Sequence, residues 1–204
     1  MFVTFEGLDG SGKSTQSELL RKRLEADGVD VVATREPGGT ALGEKLRQLV
    51  LHGEHMSAWA EALLYAAARA QHVEEVIAPA LERGAAVICD RYVDSSAAYQ
   101  GAGRELGLER VLELNLAAVG GLLPDRTFLL ELDVDAIPER LTSDHDRLER
   151  ESRAFFVRAA AGYRELAARF PDRIVVGTEA LASQIDRNWA LVQRYPHVIG
   201  DFTW

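Results

Sequence analysis

Residues 7–14 read Gly7-Leu8-Asp9-Gly10-Ser11-Gly12-Lys13-Ser14, a G-x-x-x-x-G-K-[ST] string between the apolar run Phe2 to Glu6 and the helical pattern Ser14 to Asp27. A strand, a glycine loop and a helix in that order constrain the fold more than any other feature. The helix must pass back across a sheet face before another parallel strand can pair with the first. Short β-rich runs that supply such strands recur at Asp30 to Thr34, Ala86 to Asp90, Thr127 to Leu132 and Arg173 to Val176. Between them apolar residues repeat at three and four over Ala41 to Leu51, Ala58 to Arg83, Glu109 to Val119, Glu149 to Phe170 and Ala180 to Arg194. Pro79 should kink or end the third of these six helices. No linker, repeat or low-complexity tract divides the chain. The expected fold is therefore one α/β domain over residues 1–204, a five-stranded parallel sheet flanked by helices in three layers.

The glycine string makes this a P-loop NTPase pattern with a mechanism behind it. Glycines let the backbone form a nest of N–H groups that grip phosphate oxygens, and the following helix adds its positive end. Gly7, Leu8, Asp9, Gly10, Ser11, Gly12, Lys13, Ser14 and Thr15 are the expected nucleotide-phosphate cradle, with Lys13 neutralising charge and the Ser14 hydroxyl meeting Mg2+. Asp90 and Arg91 close the run Val87-Ile88-Cys89-Asp90 at the carboxyl edge of a buried strand, where ligands of open α/β sheets bind. There Asp90 can support Mg2+ and Arg91 can grip a phosphate through two N–H groups, although a plain strand-end ion pair fits the same residues.

Composition limits the partner. With 23 Lys and Arg against 32 Asp and Glu the net charge is −9, the wrong balance for a polynucleotide but compatible with a small anion held by a few arginines. The lone Cys89 forms no internal disulfide, and no apolar run reaches the length of about eighteen residues that a membrane span requires. A cytoplasmic protein without membrane insertion is expected.

Two further patterns point at the same sheet edge. Arg35 and Glu36, in the turn Thr34-Arg35-Glu36-Pro37-Gly38-Gly39-Thr40, should face the ligand cleft. Glu61, Tyr65, Arg69 and His72 are spaced to share one helix face. A ring and a guanidinium there can hold a planar base; a surface stacking pair is the alternative.

Ordered along the chain, six segments resemble the bacterial thymidylate kinase family from residue 5 to residue 149. They are Phe5-Glu6-Gly7-Leu8-Asp9-Gly10-Ser11-Gly12-Lys13-Ser14-Thr15, Arg35-Glu36-Pro37-Gly38-Gly39-Thr40, Arg69-Ala70-Gln71-His72, Asp90-Arg91-Tyr92, Ala98-Tyr99-Gln100-Gly101 and Asp146-Arg147-Leu148-Glu149. The resemblance implies transfer of the γ-phosphoryl group of ATP to dTMP, with Mg2+, in a cytoplasmic homodimer. It implies that Asp9 and Arg91 organise the two substrates' phosphates, that Lys13 holds the donor's, and that Asp90 supports the metal. Arg35 and Glu36 would join the acceptor site. Tyr65 matches the family position stacked on thymine, Arg69 the one bonding its carbonyl, and Ser96, Tyr99 and Gln100 the lining of the sugar and base pocket. A tyrosine ring against the ribose would disfavour a 2′-hydroxyl.

Departures from the family pattern concentrate in the lid, about residues 140–148. Members without an arginine in the P-loop, as here with Gly10, carry several in the lid, whereas this segment offers only Arg140 and Arg147, with Glu149 at its end. Both arginines are candidates for transition-state charge, Arg147 and Glu149 being placed with Asp9, Lys13 and Arg91 in the catalytic set; pairing with Asp144, Asp146 or Glu149 is the competing use. Ala68 stands where the family commonly has an aspartate beside the base-reading arginine. Two rival functions remain at this level: another P-loop nucleoside or nucleoside-monophosphate kinase, and a nucleotide switch. Against the switch, neither Asn115 nor Asn188 lies in an N-K-x-D string.

Overall fold

In the computed structural model the described residues are 1–140 and 146–178. The predicted helix Ala180 to Arg194, the segment 195–204 and the middle of the lid lie outside them. Five strands, β1 (Phe2–Glu6), β2 (Val31–Arg35), β3 (Ala86–Asp90), β4 (Arg126–Glu131) and β5 (Ile174–Thr178), form one sheet in the order β2-β3-β1-β4-β5. Every neighbouring pair is parallel, with Phe5 opposite Asp90 and Phe128. Consequently the P-loop after β1 and the Asp90-Arg91 pair after β3 leave the same sheet edge side by side.

The helices are α1 (Lys13–Ala26), α2 (Ala41–His52), α3 (Ala58–His72), α4 (Ala78–Glu82), α5 (Val93–Ser96), α6 (Leu108–Ala118), α7 (Ile137–Arg140) and α8 (Arg153–Arg169). On one sheet face Leu20 and Leu24 of α1 pack with Val3, Phe5, Ile88, Phe128 and Leu130. On the other, Phe2, Val87 and Cys89 meet Ile77, Ala80, Tyr92, Val93 and Val119. The strands read as near-continuous apolar runs because both faces are covered. Pro79 does not end the third predicted helix: a π-helical turn, Val73–Ile77, carries the chain from α3 into α4, whose first turn holds Pro79. Such a turn absorbs the missing N–H and the ring's bulk.

Start signals explain several boundaries. The hydroxyls of Thr40, Ser57 and Ser152 accept from the backbone N–H of Gly43, Ala60 and Phe155, so α8 begins four residues later than its periodicity suggests. Besides the short α7, the main helical stretch that escapes sequence reading is α5 and the π-helical Ala97–Gly103 that continues it. Its string Val93-Asp94-Ser95-Ser96-Ala97-Ala98-Tyr99-Gln100-Gly101-Ala102-Gly103 is buried on nearly every side, so it shows no polar face to set a period. Small residues are required there. A Cβ on Gly162 of α8 would stand 3.2 Å from the Ala98 Cα and 2.7 Å from the Ala102 Cβ.

Candidate active site

The P-loop is shaped by glycines that no other residue replaces. Gly7, Gly10 and Gly12 have φ of 137°, 80° and 88°, and a Cβ at Gly7 would meet the Leu130 carbonyl oxygen at 2.3 Å. Gly12 gives α1 no side-chain cap, which leaves its first-turn N–H groups for an anion. A Cβ at Gly10 would come within 2.6 Å of the Arg140 Cβ, so the last residue of α7 lies directly over the loop. Lys13 donates to the Leu8 carbonyl at 2.8 Å. Burial, together with the nearby Arg91 cation, lowers its pKa to about 8 against the attraction of Asp9, Asp90 and Glu6. The Ser14 hydroxyl donates to Asp90 Oδ2 at 2.6 Å, which joins one hydroxyl and one carboxylate at the loop's edge.

Arg91 is the centre of the arrangement. It adopts φ of 71°, outside the usual range of a side chain-bearing residue, at the strand end where its guanidinium turns toward the loop. Its Nη2 lies 2.5 Å from Asp9 Oδ1. Its Nη1 donates to the Gly7 carbonyl (3.0 Å), Ser95 Oγ (3.1 Å) and Tyr163 Oη (3.3 Å). The Tyr99 ring lies beneath, 5.1 Å from the guanidinium carbon, and its hydroxyl donates to Asp9 Oδ2 at 2.8 Å. Burial alone would raise the Asp9 pKa, but Arg91, then Lys13, then the Tyr99 bond outweigh it and hold the carboxyl below its ordinary value. Arg91 stays well above its own ordinary value despite burial, chiefly because of Asp9.

Beyond Arg91 opens a cleft lined among others by Asp9, Glu36, Tyr65, Arg69, Ser96, Tyr99 and Gln100. Seven residues singled out in four separate segments thus converge on one cleft. Arg69 is only 2% exposed. Its Nε meets Glu36 at 2.6 Å, Nη1 meets Ser96 at 3.0 Å and also Asn115, and Nη2 meets the Tyr92 carbonyl at 3.0 Å. Glu36 also bonds His72 Nδ1 at 2.9 Å, and His72 Nε2 lies 2.6 Å from the Thr34 hydroxyl. The metal-ligand atoms of Glu36, His72 and Cys89 cluster within 4.8 Å, yet both Glu36 oxygens already hold Arg69 and His72. The Cys89 thiol is pushed well up by burial and then by nearby carboxylates, and it donates to the Arg91 carbonyl, so it is no nucleophile.

Three expected residues stand elsewhere. Arg35 is half exposed and pairs with Glu44 at 3.2 Å, because the turn after β2 directs it to the surface of α2 rather than into the cleft. Arg147 is drawn away from the phosphate loop: its backbone N–H and Nε donate to the carbonyls of Leu51 (2.9 Å) and Val50 (2.8 Å), and its Nη1 lies 2.6 Å from Glu61. Glu149 closes the same turn, its carboxylate accepting from the Asp146 N–H at 2.9 Å while Asp146 accepts from the N–H of Leu148 and Glu149. This reciprocal bonding is a capping box. Of the two lid arginines, Arg140 is the one beside the loop.

Sequence reasoning missed Arg47, Leu51, Ser95, Asp146 and Leu148 in the cleft wall and Tyr163 behind Arg91. Arg47 and Leu51 had a signal, since they lie three and seven positions after Glu44 on one face of α2. Tyr163 had none; it reaches the site only because Gly162 lets α8 approach the helix after β3.

A family profile described as "Thymidylate kinase" matches residues 5–185. The chain is 51% identical over 178 residues to "Thymidylate kinase" of Pelotomaculum thermopropionicum, covering 84% of this chain and 82% of that protein. It is 52% identical over 198 residues to "Thymidylate kinase" of Bifidobacterium longum (strain DJO10A), covering 95% of each. Among solved structures it is similar to thymidylate kinase from Ehrlichia chaffeensis, with TM-score 0.76, 35% identity and coverage of 92% and 98%.

Proposed function

The chain belongs to the thymidylate kinase family, and on that premise we propose that it phosphorylates dTMP to dTDP with ATP, on the way to dTTP. One observation carries the reading: Arg91 and Asp9 lie between a phosphate nest and the cleft lined by Tyr65, Arg69, Ser96, Tyr99 and Gln100, so one ion pair serves two anionic ligands.

In this reading the loop N–H groups and Lys13 hold the β- and γ-phosphates of ATP, while Arg91 receives the phosphate of dTMP. An oxygen of the dTMP phosphate attacks the γ-phosphorus, the bond to the β–γ bridging oxygen breaks, and ADP leaves. No covalent nucleophile takes part. The protein's work is alignment and charge stabilisation. Asp9, held ionised, fixes the direction of Arg91 and does not donate a proton. In this reading Arg140, whose Cβ lies over Gly10, is the lid residue that adds positive charge as the γ-phosphoryl group transfers.

Ser14 and Asp90 suit Mg2+, which prefers hard oxygen donors and usually few protein ligands; bound there, it would neutralise phosphate charge. Removal of divalent cations should therefore abolish turnover.

For the acceptor, Tyr65 offers a face to the base and Tyr99 packs where the deoxyribose would lie. A guanidinium carries five N–H donors. Glu36, Ser96, Asn115 and the Tyr92 carbonyl occupy four of those on Arg69, leaving one for a base carbonyl. Arg35 and Glu36 act at one remove, through the turn and through Arg69.

Leu42, Leu49 and Leu63 are exposed on α2 and α3, which supports pairing of two copies through those helices; a monomer mass by light scattering would exclude it. Among the described residues no helix is long and apolar enough to cross a membrane, and the reading places the enzyme in the cytoplasm. Recovery of the protein with membranes after fractionation would argue otherwise.

The test of function is relative kcat/KM for dTMP, dUMP, dCMP, UMP and AMP with ATP as donor. dTMP should rank first, with dUMP within reach because one methyl group separates them by about 1–3 kcal/mol. A higher rank for a cytosine or adenine nucleotide would overturn the assignment.

A further inference from the structure

Glu61 is completely buried in α3, one turn before Tyr65, and it gathers three partners from two segments beyond its own helix. Its carboxylate accepts from Gln100 at 2.8 Å and Arg104 at 3.0 Å, and it lies 2.6 Å from Arg147 Nη1. Arg104 in turn pairs with Glu151 and rests on the Phe155 ring, 4.9 Å from its centroid. Taking either arginine away would leave a buried carboxylate short of a partner, so its position and theirs are mutually fixed.

Arg147 connects this group to the lid. Its backbone N–H and Nε bond the carbonyls that α2 leaves open at its C-terminal end, and its guanidinium reaches through to Glu61. The residues on either side of it, Asp146 and Leu148, line the cleft, as does Gln100 on the opposite wall.

We infer that Arg147 is a positioning residue. It latches the C-terminal end of the lid to Glu61, so that one buried carboxylate sets both the Asp146–Leu148 wall and the Gln100 wall of the acceptor cleft. The consequence is that acceptor affinity, rather than the rate of transfer, depends on this pair. The inference rests on dTMP occupying that cleft.

The test compares wild type, Arg147→Met, Arg147→Lys, Glu61→Gln and the Glu61→Gln/Arg147→Met double variant, each checked by thermal melting. Wild-type conversion of dTMP to dTDP in the same assay tests the parent reading on its own. Arg147→Met should raise KM for dTMP about tenfold or more while kcat at saturating dTMP moves less than about threefold. The Arg147 amide should lose hydrogen-exchange protection in Glu61→Gln, a change that a residue acting only on the phosphoryl group would not produce. Lysine, which cannot bond Val50 and Glu61 together, should recover only part of the KM, and the double variant should be no worse than the poorer single. A kcat loss of about a hundredfold or more with KM unchanged would overturn the latch and return Arg147 to the transferring phosphate. So would an unchanged KM in both Arg147→Met and Glu61→Gln.

Discussion

Removing the Arg69 guanidinium tests how the acceptor cleft is held. In Arg69→Met the stem is kept, but Glu36, 3% exposed, loses its cation, and Ser96, Asn115 and the Tyr92 carbonyl lose a donor. Stripping one partner from a buried ion pair costs about 3–5 kcal/mol, mainly because the other charge is left behind. In a domain of this size that corresponds to a fall in Tm of roughly 10 °C or more. The same argument sets the direction of the compensating change. In Arg69→Met/Glu36→Gln no charge remains uncompensated, so the double variant should recover on the order of 1–3 kcal/mol relative to Arg69→Met alone. Arg69→Lys should fall between, since one ammonium cannot span four acceptors. Urea unfolding followed by circular dichroism measures these proteins together with the Glu36→Gln single variant that closes the cycle. A cost below about 1 kcal/mol for Arg69→Met, or strictly additive effects of the two substitutions, would refute the view of this cluster as a charge-balanced core.

Arg140→Met should lower kcat by about 10³ or more with little change in KM for dTMP, the mark of charge supplied only in the transition state; an unchanged kcat would remove Arg140 from the reaction. Glu6 concerns pH. Burial, and next the Asp94 carboxylate, raise its pKa from 4.5 to about 7 against the bonds from Ser95 and the Tyr92 N–H and the Arg91 charge. Between those values the native state holds a proton that the unfolded chain has released. Its stabilising contribution is therefore full below pH 4.5 and lost as pH rises through about 7. The stability of wild type minus that of Glu6→Gln should decline by on the order of 3 kcal/mol from pH 4.5 to 8, and a difference that stays flat would contradict the assignment.

How far the sequence reveals this molecule varies with what fixes each residue. The five parallel strands and the loop were legible because strand runs and the glycine string are local, and each glycine has one conformational reason to be there, whereas the strand order was not. The convergence of Glu36, Tyr65, Arg69, Tyr99 and Gln100 was legible too, through family resemblance and helical spacing. What stayed hidden depends on tertiary approach. Val93 to Gly103 shows no period because it is buried all round, and Tyr163 reaches Arg91 only through the Gly162 crossing. For Arg147 the lid string points to a phosphate, and its bonds to the open carbonyls of α2 and to the buried Glu61 could not be read from it.

If two nucleotides meet across Asp9 and Arg91, one molecule can bridge both sites. A single ligand with adenosine and thymidine joined through five phosphates spans both sites at once, and its displacement of labelled ATP and labelled dTMP can be measured by equilibrium dialysis. The account predicts one such ligand per chain, competitive with both nucleotides, and weakened severely by Arg91→Met. Competition with ATP alone, leaving dTMP bound, would contradict it.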